Sequence, residues 1–146
     1  MALAKENEVG KETSDKPDPD SKEECRKICE RWLAAWSGTD PQAVVDMLSD
    51  DAVYRDPVRS TGLYGKDAIA DYLELLFVRN PDWTFTLVDC WKIEDDTIVM
   101  KRRVRNIVDN RVFEDNGVEF LEFNDKGLIT SCEMYYDRVG WRPTDL

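Results

Sequence analysis

Hydrophobic positions recur along this chain with two different periods. In the first part the spacing is helical: Cys25, Ile28, Cys29, Trp32, Leu33 and Trp36 fall on one face of a helix. Ser21 with Glu24 reads as a capping box that starts this helix, and Gly38 ends it. Asp40-Pro41 caps a second, shorter helix whose Val44, Val45 and Leu48 face inward. After a strand over 52–56, a third helix from Lys66 to Val78 carries Ile69, Tyr72, Leu73, Leu76 and Phe77, and Asn80-Pro81 breaks it. From Trp83 the period changes to two, which predicts strands over 83–93, 97–108, 111–123 and 128–137. Their turns, Glu94-Asp95-Asp96, Asp109-Asn110 and Asn124-Asp125-Lys126-Gly127, use residues that tolerate tight or left-handed geometry. Helices followed by an antiparallel meander predict an α+β domain with its helices packed on one face of the sheet.

Alternation along the strands sorts side chains into faces. Over 97–108, Ile98, Met100, Arg102, Val104 and Asn106 form the more apolar set, opposed by Lys101, Arg103 and Arg105. A slip of one residue would exchange Arg102 for Arg103. Over 111–123, Glu119, Leu121 and Phe123 share a face; over 128–137, Cys132, Met134 and Tyr136 do, opposite Glu133, Tyr135 and Asp137. The last three form an aromatic, charged outer face suited to a homodimer.

Composition narrows the partners. One domain of 146 residues with 42% apolar content can fill a core, and a net charge of −11 argues against nucleic acid or an anionic membrane as partner. No apolar run reaches the roughly 18 residues a membrane span needs. Residues 1–20 mix Lys, Glu, Asp, Ser and Pro with little to bury and read as a disordered tail, leaving 21–146 as the domain. Met1–Gly10 is too polar for a signal peptide, so a cytoplasmic protein is expected. Cys25, Cys29, Cys90 and Cys132 fit reduced, buried thiols. The close pair, Cys25 and Cys29, lies on a helix and the chain has no histidine, so neither a metal nor another cofactor is expected. Without histidine, Ser-His and Cys-His nucleophiles are excluded and acid–base work falls to carboxylates, tyrosines, lysines or cysteines.

The chemistry concentrates in DDAVYRDPVRSTGLYGKDAIADYL, residues 50–73. Pro57 lacks an N–H and forces Asp56 into extended geometry, so the strand must finish there. Tyr54 and Asp56 then point the same way, opposite Val53 and Arg55. Enclosed, Asp56 is a candidate general base; otherwise it is a turn carboxylate.

This segment resembles that of bacterial steroid Δ-isomerases and SnoaL-like polyketide cyclases, both within the nuclear transport factor 2-like superfamily, and the order of elements agrees from Ser21 to Trp141. The resemblance implies a curved sheet wrapped round a helix, a cone with an apolar pocket. In the isomerases the base precedes proline, which falls on Asp56. Their oxyanion site pairs a helix tyrosine, here Trp32, with a protonated acid, here Glu119. The paired aspartates of limonene epoxide hydrolases are absent: Arg103-Val104-Arg105 and Met134 occupy those positions.

The expected site therefore has Asp56, Glu119 and Tyr54 as catalytic groups. Trp32, Trp36, Tyr72, Arg102, Asn106, Leu121, Met134 and Tyr136 are the candidates to bind a small apolar molecule bearing a carbonyl or hydroxyl. By that resemblance, a protonated Glu119 would donate to a developing enolate while ionised Asp56 moved the proton. Arg102 is either a partner for Glu119, which would remove the donor, or a ligand clamp. A noncatalytic carrier and an association module remain open beside the isomerase, cyclase or dehydratase reading.

Overall fold

Four of the six strands form the meander that the period-two pattern predicts, and the structural interest lies in how the fifth and sixth join it. A computed structural model describes residues 19–137, with side chains from residue 21. The elements in order are α1 (Pro19–Trp36), α2 (Gln42–Val45), β1 (Leu48–Arg55), β2 (Leu63–Tyr64), α3 (Lys66–Arg79), β3 (Thr84–Glu94), β4 (Thr97–Val108), β5 (Arg111–Phe123) and β6 (Ile129–Tyr136). They build one curved, unclosed α+β sheet in the order β2-β1-β6-β5-β4-β3. The β3–β6 pairings are antiparallel, whereas β1 runs parallel to β6, so the sheet is mixed at that one junction. The parallel pairing is possible because the long α3–β5 excursion separates β1 from β6 in sequence.

Several local readings need correction. The first helix includes Pro19 and Asp20, so Ser21 lies inside α1 and is not its cap; a proline early in a helix forfeits no hydrogen bond. Pro19 and Asp20 are thereby removed from the expected 1–20 tail, the rest of which lies outside the described residues. The second helix is a single turn ending at Val45. Leu48, expected on it, is the buried first residue of β1, which begins four residues earlier than expected. The two-residue β2, which pairs Leu63 with Tyr54 and Tyr64 with Val53, was too short to leave a periodic signal. The Asp109-Asn110 turn has positive φ at both residues, 51° and 62°, as a tight hairpin requires.

The apolar face of α1 packs against β3 and α3 packs against β1, which closes the concave side of the sheet. The core between them contains Trp32, Leu33, Trp36, Leu73, Met100 and Leu121. Among the described residues, five polar ones are buried with it: Ser49, Asp56, Arg102, Asn106 and Glu119. Buried polar groups need partners, and four of these five concentrate at one end of the cone.

Candidate functional site

Asp56 stands where β1 ends, and proline is the reason: Pro57 stops the ladder and the chain turns back over the carboxylate. Oδ1 accepts the backbone N–H groups of Val58 and Arg59, both at 2.7 Å. Oδ2 accepts the hydroxyls of Tyr54 at 2.8 Å and Tyr72 at 2.9 Å. Four donors match the roughly four lone-pair sites of an ionised carboxylate. Desolvation first, then the charge of Asp56, raises the Tyr54 pKa well above its ordinary 10.0, and the same causes raise Tyr72. Both phenols are therefore held as donors.

Arg102 comes from β4 on the concave side, with Arg103 facing out, as the apolar alternation predicts. Its Nε donates to Glu119 Oε1 at 2.8 Å, a diagonal cross-strand pair whose side chains are 2% and 1% exposed. Glu119 Oε2 accepts the indole N–H of Trp32 at 2.8 Å. Arginine and tryptophan are donors only, so both Glu119 oxygens act as acceptors. Arg102 thus stands as a partner of Glu119, the arrangement that works against a protonated Glu119 donating to an enolate. The guanidinium lies against Phe85 (5.1 Å) and Tyr136 (5.8 Å) and crosses directly over Gly117. A Cβ on Gly117 would stand 2.7 Å from Arg102 Cζ, closer than real Cβ contacts come. Only glycine at this register position, opposite Arg102 and Tyr136, lets the arginine lie flat across β5.

These two clusters meet in one cavity of about 90 Å³, lined by Trp36, Tyr54, Asp56, Leu76, Asn80, Trp83, Phe85, Arg102, Met134 and Tyr136. Aromatic rings make most of the wall; Trp36 lies 5.7 Å from Trp83 and 5.9 Å from Phe85. Three lining residues bring buried N–H groups without a hydrogen-bond partner: Trp36 Nε1, Trp83 Nε1 and Arg102 Nη1. Each such group costs about 1–3 kcal/mol if nothing accepts from it. An acceptor oxygen within reach of these donors would remove that cost.

Of the expected site residues, the structure brings Tyr54, Asp56, Trp36, Arg102, Met134 and Tyr136 to this cavity. Tyr72 stands one shell behind, on Asp56. Trp32 and Glu119 do not line it and instead anchor Arg102 from below. Asn106 does not line it either; it donates to the Asn80 side chain, which does. Leu121 is core, fully buried away from the cavity. Leu76, Asn80, Trp83 and Phe85 were not anticipated. The two-residue spacing of Trp83, just before β3, and Phe85 was the available signal, and both rings meet Trp36 of α1.

The sequence over residues 29–132, well over half the chain, matches the SnoaL-like domain model. Solved structures agree in fold. A hypothetical protein of Catenulispora acidiphila with a ketosteroid isomerase-like fold, in complex with trimethylamine, superposes with a TM-score of 0.69 at 20% identity over 77% of this chain and 86% of that one. SalBIII, an epoxide hydrolase/cyclase-like enzyme of pyran ring formation in the polyether salinomycin, gives 0.70 at 15% identity over 81% and 94%. Rv0760c of Mycobacterium tuberculosis, in complex with estradiol-17beta-hemisuccinate, gives 0.67 at 18% identity over 79% and 95%. No curated protein sequence matches the chain. By the matched domain, the chain belongs to the SnoaL-like family, and its fold is that of nuclear transport factor 2-like proteins.

Proposed function

We propose that this protein is an enzyme that moves a proton next to the carbonyl of a small, largely apolar molecule, as in double-bond isomerisation, aldol-type cyclisation or dehydration. The observation that carries the reading is that Asp56 and Arg102 line the same cavity, with unpaired indole N–H groups between apolar walls. Asp56 Oδ2 takes the α-proton, giving up one tyrosine hydroxyl as it does so. Arg102 Nη1, Trp36 Nε1 and Trp83 Nε1 donate to the oxygen on which negative charge develops, where preorganised donors are worth most. Glu119 serves by fixing Arg102, not by touching the substrate.

Size limits the substrate. Pockets for drug-sized ligands run to about 300–1,000 Å³, so the 90 Å³ space takes the carbonyl-bearing end of a steroid-, terpenoid- or polyketide-like compound. The remainder would lie across the half-buried rim of Leu76, Asn80, Phe85 and Tyr136.

A second reading, a noncatalytic carrier, is favoured by one observation: the four hydrogen bonds on Asp56 leave it no spare lone pair. One experiment separates the two. Small cyclic ketones are incubated with the protein in D2O and deuterium at the α-carbons is followed by NMR. Enzyme-dependent exchange that falls by about 10²–10⁴-fold in Asp56→Asn supports the general base. Binding without exchange, unchanged in Asp56→Asn, leaves the carrier.

A further inference from the structure

At the opposite end of α1 the fold assembles a group that the sequence kept apart. Cys25 and Cys29 stand one helical turn apart on the same face. Packing of α1 on β3 brings Cys90 up to them, and the three sulfurs all lie within 4.8 Å of one another. All three residues are at most 2% exposed. The expectation of no metal rested on the Cys25–Cys29 pair and on the lack of histidine to complete its ligands; Cys90 now adds a third sulfur.

We propose that Cys25, Cys29 and Cys90 form a three-thiolate site for a soft divalent cation of the zinc and cadmium class. The geometry is close to what such an ion needs. A zinc–sulfur bond of about 2.3 Å sets tetrahedral sulfurs about 3.8 Å apart, and cadmium needs somewhat more, so the cluster has at most about 1 Å to close. The donor set is all sulfur, which selects soft ions over magnesium or calcium. Cys25 also lines a groove of about 350 Å³ with Ser21, Glu24, Ile28 and Ile98, which provides an entry path and room for water as a fourth ligand.

Charge and protons balance. Each thiol loses its proton to solvent and gains one metal–sulfur bond, and nothing is oxidised. Three thiolates with a divalent ion carry one net negative charge. Lys22 reaches in beside it, donating to the Cys90 carbonyl; its other partner, Asp89, is solvent-facing. The site is separate from the cavity under Arg102 and stands whether or not that cavity is catalytic.

The test uses reduced protein freed of reductant and titrated with cadmium chloride, read by the ultraviolet sulfur-to-cadmium charge-transfer absorption. One ion per chain, proton release, and a melting temperature that rises with cadmium are expected. Cys90→Ser should weaken binding beyond the about 10–100-fold that loss of an outer-shell partner costs, while Cys132→Ser leaves it unchanged. If Cys90→Ser does not fold, Cys25→Ser at the groove edge replaces it in the same comparison. No charge-transfer band, or a band of equal affinity in the cluster variant, overturns the proposal.

Discussion

Replacing Glu119 by glutamine keeps the size of the side chain and removes its charge, and the surroundings set the consequence. Both carboxylate oxygens are acceptors, for Arg102 Nε and for Trp32 Nε1. Glutamine has one carbonyl oxygen and one NH2, so it can accept at one contact and must set donor against donor at the other. It also strands the Arg102 charge at a residue that is 1% exposed. Breaking one side of a buried pair typically costs about 3–5 kcal/mol. At roughly 2–4 °C per kcal/mol for a chain of this length, the melting temperature should fall by about 6–20 °C. Urea unfolding followed by circular dichroism measures the loss directly. Removing both charges at once, as Arg102→Met with Glu119→Leu, should regain most of it, because no charge is then stranded. A Glu119→Gln protein within about 1 kcal/mol of the parent would refute the reasoning, since a loss that small belongs to an exposed pair.

Gly117→Ala should cost about 1–3 kcal/mol by pushing its Cβ into the Arg102 guanidinium, measured in the same unfolding assay; an unchanged midpoint would mean that the arginine does not lie across β5. Tyr54 and Tyr72 have folded pKa values above their unfolded value of 10.0, so their stabilising contribution is complete below pH 10 and is lost as the pH rises beyond it. Unfolding at about pH 9 and about pH 11 should show that loss, and Tyr72→Phe should reduce its slope. The outer sheet face exposes Phe120 and Tyr135 in edge-to-face contact at 5.9 Å. We expect two copies to pair there, so sedimentation should give a dimer at roughly tens of micromolar and Phe120→Glu should give a monomer.

Much of the fold was legible because period carries it. Met100, Arg102 and Val104 alternate with Lys101, Arg103 and Arg105, and the burial of the first set resolves the one-residue ambiguity that had left both Arg102 and Arg103 open. The end of β1 followed from Pro57, whose missing N–H acts locally. What failed was what no local pattern encodes. The parallel β1–β6 pairing depends on chain segments some eighty residues apart. Whether Arg102 reaches Glu119 depended on Gly117, whose lack of a side chain leaves space for the guanidinium. Trp32 could be placed on the inner helix face, but its indole hydrogen bond needed the position of β5. Leu121 and Asn106 lie on the expected face but do not line this cavity, since alternation gives direction without distance along the strand.

The central claim, that the cavity beneath Arg102 receives a carbonyl oxygen, is tested most directly by the indole N–H signals. The chain has five tryptophans, whose peaks in a proton–nitrogen NMR spectrum can be assigned by single Trp→Phe changes. On titration with a small cyclic ketone, the Nε1–H peaks of Trp36 and Trp83 should move downfield as they gain an acceptor. Trp32, already bonded to Glu119, and the solvent-facing Trp91 should stay in place. Saturable shifts of Trp36 and Trp83 are the predicted result; a ketone that binds while both peaks remain fixed would contradict it.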